Sequence, residues 1–337
     1  MRLRGGILFI SIFSLVIGLI IGVSKSGFWG LLNHVLQYHF LILCGSFFGT
    51  LITLERAVTI KNRNFHFLPI INGSSILFYL MDMPGVGTLT LILGGIIVTG
   101  MYVYFFIQHL DKIHFIFVIS GNCYLMAAVF YYYAEWNLSI RYFELFFLLT
   151  ISAERLELAR FINISELKKA FLVVLLLLSC FVINIEWLYG WIIILISLWF
   201  IFYDIAGINI RSKDPHRFRG WALMSGYYWL LVHGLSFIFS DKMSYDIRIH
   251  SFFLGFVMNM VFAHISIILP AVLKIQFSVP SKFYYTVWGI FQLILLIRFV
   301  SSMILSELFP LIAFLNALVI LVFFVINGKY IFLCKKQ

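Results

Sequence analysis

The chain has 337 residues, of which 63% are apolar or aromatic and 11% are charged, and its mean hydropathy is +1.04. A soluble domain carries about 25% charged residues, so this composition excludes a water-soluble fold and indicates an integral membrane protein. The long, unbroken apolar runs exclude a transmembrane β-barrel, whose strands alternate. The cysteines form no C-x-x-C pair, which argues against covalent c-type haem, iron–sulfur clusters and structural zinc.

Hydrophobic segments predict a single all-α transmembrane domain over residues 1–337. At about 20 residues per spanning helix, roughly twelve helices joined by short loops fill the chain and leave no room for a soluble catalytic domain. The predicted spanning segments, in chain order, are residues 6–23, 34–59, 67–85, 87–107, 113–134, 140–160, 169–187, 189–207, 220–240, 247–273, 284–302 and 309–332.

The basic residues predict the orientation of these segments. Alternate loops, counted from the N-terminus, hold most of the 24 Lys and Arg residues. The opposite loops hold only Lys25, Arg141, Lys242, Arg248 and Arg298. This asymmetry fits the positive-inside rule with both termini in the cytoplasm. Topology therefore explains the net charge of +10, and we expect a lipid bilayer as partner, no nucleic acid, and a bacterial or archaeal cytoplasmic membrane.

Polar groups recur on the second, sixth and tenth segments. His39, Glu144 and His250 follow one another at intervals of about 105 residues, each near the outer end of its helix. This rhythm predicts three pseudo-symmetric four-helix arcs, with chance clustering of ionisable residues at helix ends as the alternative. The corresponding repeats are residues 1–110, 111–215 and 216–337.

Several motifs carry a family resemblance. They are the H-x4-H run at 34–39 with the following G-x3-G-T and L-E-R-A-V, the H-x13-H pair on the tenth segment, and GWALMSGYYWLLVHG on the ninth. The topology resembles the catalytic subunit of the haem–copper oxidases, and the pattern is more specifically similar to the NnrS family. This resemblance implies haem b and/or copper, a redox or nitric-oxide-handling role, and electrons from quinol or a partner subunit.

The sequence also departs from the oxidase pattern. The sixth segment has no histidine, the seventh lacks an adjacent His-His pair, and the tenth lacks a closely spaced H-x-H. The departures argue against dioxygen reduction and proton pumping.

Histidines and one carboxylate are the candidate metal ligands near the outer face. They are His39, Glu144, His233 and His250. Neutral imidazole is the usual ligand for haem iron and copper, and a carboxylate completes a harder site. Ionisable groups inside a membrane segment are functional hypotheses by default. The alternative for His250 is a solvated interfacial side chain.

His264 lies deeper in the tenth segment. It is fourteen residues after His250, which on a helix is within about 40° of the same direction and about 21 Å further along. It is a candidate axial ligand of an open-site haem, or a histidine bonded to a carbonyl of a neighbouring helix.

Arginines offer a second type of cofactor contact. Arg141 and Arg248, near the outer mouth, fit either haem propionates or ordinary interfacial pairing. The repeated Glu55-Arg56 and Glu154-Arg155 pairs fit the start of a proton path, or arginines that bind haem propionates. They also fit ion pairs that anchor helix ends by snorkelling.

Three functions therefore stay open. The first is a haem- or copper-binding redox or gas-handling protein. The second is a transporter of a proton-coupled small solute or metal ion that uses the same polar axis. The third is a non-catalytic subunit of a respiratory complex. The residues do not decide whether the protein is an enzyme, or its oligomeric state.

Overall fold

The computed structural model describes residues 2–60, 63–162, 164–275 and 279–334. Met1 and residues 335–337, which the topology prediction places in the cytoplasm, lie outside these described residues. The described residues form helices and turns, with no strand among them.

The helices follow the predicted segments along the chain. They are α1 (Leu3–Lys25), α2 (Asn33–Thr59), α3 (Phe65–Leu80), α4 (Pro84–His109), α5 (Lys112–Tyr132), α6 (Trp136–Leu158), α7 (Glu166–Phe181), α8 (Glu186–Tyr203), α9 (Ala206–Ile210), α10 (His216–Ile238), α11 (Tyr245–Leu273), α12 (Ser281–Met303) and α13 (Ser306–Leu333).

Eight helices in the described part of the chain are long and apolar enough to cross a membrane, namely α1, α2, α4, α5, α8, α11, α12 and α13. This confirms the prediction of an all-α protein suited to a lipid bilayer. A helix pairs most of its backbone N–H and C=O groups within itself, which is what a lipid environment requires.

The chain divides into two compact units. Unit 1 contains Met1–Ala153 and Ile268–Ile275, and unit 2 contains Glu154–Ile267 and Gln276–Gln337. Unit 1 therefore comprises α1–α5 with most of α6 and the end of α11. Unit 2 comprises α7–α10, most of α11, and α12 and α13.

A buried asparagine organises the interior of unit 1. The Asn72 amide on α3 donates to Thr53 Oγ1 at 3.0 Å, and its Oδ1 accepts from the Tyr124 hydroxyl at 3.0 Å. A Cβ at Gly94 would overlap the Asn72 side chain, so glycine is required where α4 passes α3. Because all these groups are bonded, polar atoms can sit in an apolar interior at little cost.

Unit 2 has a corresponding network around Asn259 on α11. Its Oδ1 accepts from Trp288 Nε1 at 2.9 Å and from Gln292 Nε2 at 2.8 Å. Gln292 Oε1 in turn accepts from Trp229 Nε1 at 2.8 Å. These bonds tie α10, α11 and α12 together, as interhelical polar contacts do in membrane proteins.

Two helices widen into π-helical turns. In α2 the stretch is Ile42–Gly49, closely following His39, and in α11 it is Ser251–Val257, directly after His250. Long π-helical stretches are rare and often occur at functional sites. Neither stretch was predicted from the sequence, although both follow a proposed metal ligand.

Candidate functional site

Three charged or ionisable side chains meet at the start of α11, and we call them the Asp246 cluster: Asp246, His250 and Arg298. Arg298 on α12 donates to both Asp246 carboxylate oxygens, Nε at 2.9 Å and Nη2 at 2.7 Å. His250 Nδ1 lies 2.8 Å from Asp246 Oδ1, one helical turn away. Arg298 is only 8% exposed, so a guanidinium inside the unit is neutralised by a bidentate carboxylate.

Arg248 connects the same end of α11 to two further helices. Its Nη1 lies 3.3 Å from Glu186 Oε1 on α8, and its guanidinium lies 4.7 Å from the Phe237 ring centroid on α10. Its backbone carbonyl lies 2.9 Å from His233 Nδ1. Of the predicted site residues, the structure thus brings Arg248 and His233 into direct contact.

A second group, which we call the Arg155 cluster, consists of Arg155, Asp204, Tyr227 and His264. Arg155 Nη2 lies 2.7 Å from His264 Nε2, and His264 Nδ1 lies 2.7 Å from the Met260 carbonyl. The Tyr227 side chain interacts electrostatically with both Arg155 and Asp204. Arg155 is 3% exposed and Asp204 is 8% exposed, so this cluster is also inside unit 2.

These contacts decide which ring nitrogens of His264 are engaged. The carbonyl of Met260 can only accept, so Nδ1 carries the proton and Nε2 accepts from Arg155. Both nitrogens of His264 are therefore in use, and the carbonyl that it contacts belongs to its own helix. Arg155 contacts an imidazole, whereas the sequence analysis had considered it for a proton path, a propionate grip or an anchoring ion pair.

His39 lies in unit 1, on α2. Its Nδ1 is 2.8 Å from the Gly18 carbonyl on α1. A Cβ at Gly22 would lie 2.5 Å from His39 Cε1, so the ring packs directly on the α1 backbone. The orientation of this imidazole is fixed by the hydrogen bond and by the absence of a side chain at Gly22.

Glu144 also belongs to unit 1, on α6. It is 1% exposed and acts electrostatically on the thiol of Cys44, within the π-helical stretch of α2. Arg141, one turn earlier on α6, is half-buried. A carboxylate this deeply buried needs a compensating partner or a proton.

The described part of the chain contains no group of three or more His, Cys, Asp or Glu side chains arranged to hold a metal ion. The predicted ligands divide between the units, with His39 and Glu144 in unit 1 and His233 and His250 in unit 2.

The partners of the histidines were not predicted from the sequence. Arg298 was counted only as an outer basic residue, and its pairing with Asp246 was not predicted. Two signals could have identified them: the i, i+4 spacing of Asp246 and His250, and an arginine inside the apolar run FQLILLIRFVSS. Nothing in the sequence indicated that Tyr227 and Asp204 lie beside Arg155.

Comparisons with other proteins identify one family. Residues 3–328 match the model of a family described as a domain of unknown function (DUF8744). No curated protein and no solved structure matches the chain.

Proposed function

The chain belongs to the DUF8744 family, and we propose that it binds haem, copper or both through histidines, with a redox or nitric-oxide-handling role. The proposal includes twelve helices across the membrane, arranged in three four-helix arcs with both termini in the cytoplasm. It is supported by the motif resemblance to the NnrS family and by the geometry of two histidines.

The observation that carries the proposal is the hydrogen bonding of His39 and His233. In each, Nδ1 lies within 2.9 Å of a carbonyl on a neighbouring helix, Gly18 for His39 and Arg248 for His233. A carbonyl accepts, so Nδ1 bears the proton and Nε2 bears the lone pair. Metal-binding histidines have this arrangement, since the second hydrogen bond fixes both ring orientation and tautomer.

The remaining candidates fit to different degrees. The Nδ1 of His250 contacts the Asp246 carboxylate, which is the other common partner of a metal-binding imidazole. Its Nε2 lies 3.4 Å from Arg298 Nη2, so ligation by His250 requires that arginine to move. His264 Nε2 accepts a hydrogen bond from Arg155, so ligation by His264 requires that arginine to move. Glu144 supplies a buried carboxylate for a harder metal ion.

Haem or copper, when bound, would supply one-electron chemistry and a position for a gas ligand. The protein itself would orient the imidazoles and exclude water with its apolar helices. Electrons would come from quinol or a partner subunit.

The first test is a reduced-minus-oxidised visible spectrum of the purified protein, with iron and copper analysis of the same sample. We expect a haem band or bound copper in the wild type, and at least a tenfold loss of bound metal in the double variant His39→Ala/His233→Ala. His109→Ala is the matched control, because His109 Nδ1 bonds a carbonyl of its own helix on an exposed surface. A colourless, metal-free protein from cells supplied with iron and copper would overturn the proposal.

The Asp246 cluster favours a second candidate, a proton-coupled transporter of a small solute or metal ion. Ionisable side chains held inside a spanning helix often line transport pathways. Reconstituted vesicles with a pH-sensitive dye inside would test it. Proton movement that depends on Asp246 and His250, in a protein without metal, would select the transporter over the redox protein.

A further inference from the structure

A turn rich in basic residues joins α9 to α10 in unit 2, and we call residues 211–217 the basic turn. It carries three cations, Arg211, Lys213 and Arg217, and one carboxylate, Asp214. All four residues are exposed. The turn closely follows α8 and bonds to the start of α12, and both helices are long and apolar enough to cross a membrane. The basic turn therefore lies where spanning helices leave the lipid.

The cations of the basic turn are not neutralised by the protein. None of the three forms an ion pair with any carboxylate in the described part of the chain. Asp214 Oδ1 accepts from the Tyr285 hydroxyl on α12 at 2.9 Å, and Arg217 Nε donates to the Ser212 backbone carbonyl at 2.9 Å. Three positive charges and one negative charge leave the turn with an excess of positive charge.

Other basic side chains at this end of unit 2 do have partners. The Lys168 ammonium lies 4.3 Å from the ring centroid of Tyr203, the last residue of α8. Lys169 pairs with Glu166 at 2.8 Å. The basic turn thus differs from its neighbours in leaving its cations open to an external anion.

Packing against α12 holds the basic turn in place. The buried Phe218 ring, directly after the turn, stacks on the Tyr284 ring at 5.2 Å between centroids. The bonds of Asp214 to Tyr285 and of Arg217 to the backbone carbonyl of Ser212 add two further restraints. Cations held in position lose less conformational freedom when a ligand binds, which favours affinity.

An exposed apolar face runs along α10 away from these cations. Trp221 follows Arg217 by four residues and Tyr228 follows Trp221 by seven, so the three side chains share one helix face. Trp221 and Tyr228 are exposed, as is Ile208, three residues before Arg211. Cations at the end of an apolar helix face match a ligand that has an anionic head and apolar chains.

We propose that the basic turn binds the headgroup of an anionic phospholipid, whose acyl chains lie along the exposed face of α10. Arginine binds phosphate through paired N–H donors and lysine binds it as a point charge. Basic residues beside spanning helices attract anionic lipids in this way. A soluble phosphate would meet the same cations but would gain nothing from Trp221 and Tyr228. This site does not depend on the proposed metal-binding function.

The test is quenching of tryptophan fluorescence by brominated phospholipids in vesicles that contain the full-length protein. Phosphatidylcholine vesicles receive increasing fractions of brominated phosphatidylglycerol or, in parallel, of brominated phosphatidylcholine. The difference between the wild type and Trp221→Phe isolates the signal of Trp221. We expect half-maximal quenching of Trp221 at a fraction of phosphatidylglycerol about tenfold lower than that of phosphatidylcholine. Equal fractions for the two lipids would overturn the proposal.

The decisive variant is Arg211→Gln/Lys213→Gln/Arg217→Gln, which we expect to remove the preference for phosphatidylglycerol. Its phosphatidylcholine titration should match that of the wild type, which verifies that the variant is folded and inserted. A preference retained in this variant would contradict the proposed site.

The matched control is Arg160→Gln/Lys168→Gln/Lys169→Gln. It removes the same number of charges from unit 2, but from cations that contact Glu157, Tyr203 and Glu166. We expect the control to keep the preference for phosphatidylglycerol. A control that loses it as fully as the decisive variant would mean that net charge attracts the lipid, and would contradict a defined site.

Added sodium phosphate, at constant ionic strength, separates the two sources of a phosphate group. We expect the preference for phosphatidylglycerol to persist. Its loss would assign the basic turn to a soluble phosphate and overturn the lipid site. Because the readout is lipid quenching rather than a haem or copper signal, failure here is distinguishable from failure of the metal-binding proposal.

Discussion

The Asp246 and Arg155 clusters are two versions of the same arrangement at different positions on α11. In each, a histidine Nδ1 contacts the carbonyl four residues earlier, and an arginine from another helix reaches the imidazole. The difference is the carboxylate. Asp246 binds Arg298 through two hydrogen bonds, whereas Arg155 bonds the neutral imidazole of His264 and is influenced electrostatically by Asp204 and Glu154. A bidentate carboxylate ties two helices together directly, whereas the charge of Arg155 is balanced by carboxylates that act on it electrostatically.

The largest effect should come from removing the carboxylate of the Asp246 cluster. Asp246→Ala leaves Arg298, 8% exposed, without its counter-charge, and we expect a loss of about 2 to 3 kcal/mol in the free energy of unfolding. The measurement is unfolding of the purified protein in a denaturing-detergent titration.

Glu186→Ala is the control for this variant. Glu186 also pairs with an arginine, Arg248, but its side chain is 42% exposed, so we expect a loss below about 1 kcal/mol. Adding Arg298→Leu to Asp246→Ala should restore most of the lost stability, because the uncompensated charge is then gone. Equal losses of unfolding free energy in Asp246→Ala and Glu186→Ala would contradict the expected difference between a buried and an exposed ion pair. So would a double variant that is no more stable than Asp246→Ala.

A smaller effect is expected in the Arg155 cluster. Arg155→Leu removes a buried charge on which Asp204 and Glu154 act electrostatically, and it leaves His264 Nε2 without a donor. These contributions oppose each other, so stability should change by no more than about 1 kcal/mol in either direction. The same detergent titration measures it. A loss as large as that of Asp246→Ala would mean that Arg155 is already neutralised and that the two clusters do not differ.

The smallest effect concerns a carboxylate outside the spanning helices. Burial of Asp111 raises the pKa of its carboxyl. Hydrogen bonds lower this pKa by more, and the chief donor is the backbone N–H of His114 at the start of α5. The pKa of Asp111 is therefore lowered overall. The ionised form is therefore favoured in the folded protein. Its stabilisation is present above the ordinary pKa of about 4 and is lost as the pH falls through the lowered value.

We expect this cap to contribute less than about 1 kcal/mol, because the Asp111 side chain is 45% exposed and water screens it. Comparing the acid unfolding of the wild type with that of Asp111→Asn measures the contribution. A variant that shows the same pH dependence between pH 5 and about 3 as the wild type would exclude a role for ionised Asp111.

Much of the fold follows from local sequence. Apolar runs long enough to span a bilayer predict helices because lipid offers no partners for backbone polar groups. The π-helical stretches after His39 and His250 could not be predicted, since an extra residue in a turn is accommodated by packing and leaves no periodic signal. The buried roles of Asn72 and Asn259 likewise depend on partners from distant helices.

The candidate site was only partly predictable. His39, His233, His250 and His264 were identified because ionisable residues stand out in an apolar sequence. Their hydrogen-bond partners were not identified, because the Gly18 and Arg248 carbonyls are backbone atoms that any residue has.

The sequence by itself determined an all-α protein suited to a membrane, the order of its helices and the histidines that deserve testing. Composition and hydropathy suffice to predict the helices, because whether a segment forms a spanning helix depends on the free energy of its transfer into lipid. Only the tertiary structure decided that Arg298 meets a carboxylate and Arg155 a neutral imidazole. The partner of a buried charge comes from a side chain that is distant in the sequence. A local sequence pattern therefore does not predict which residues pair.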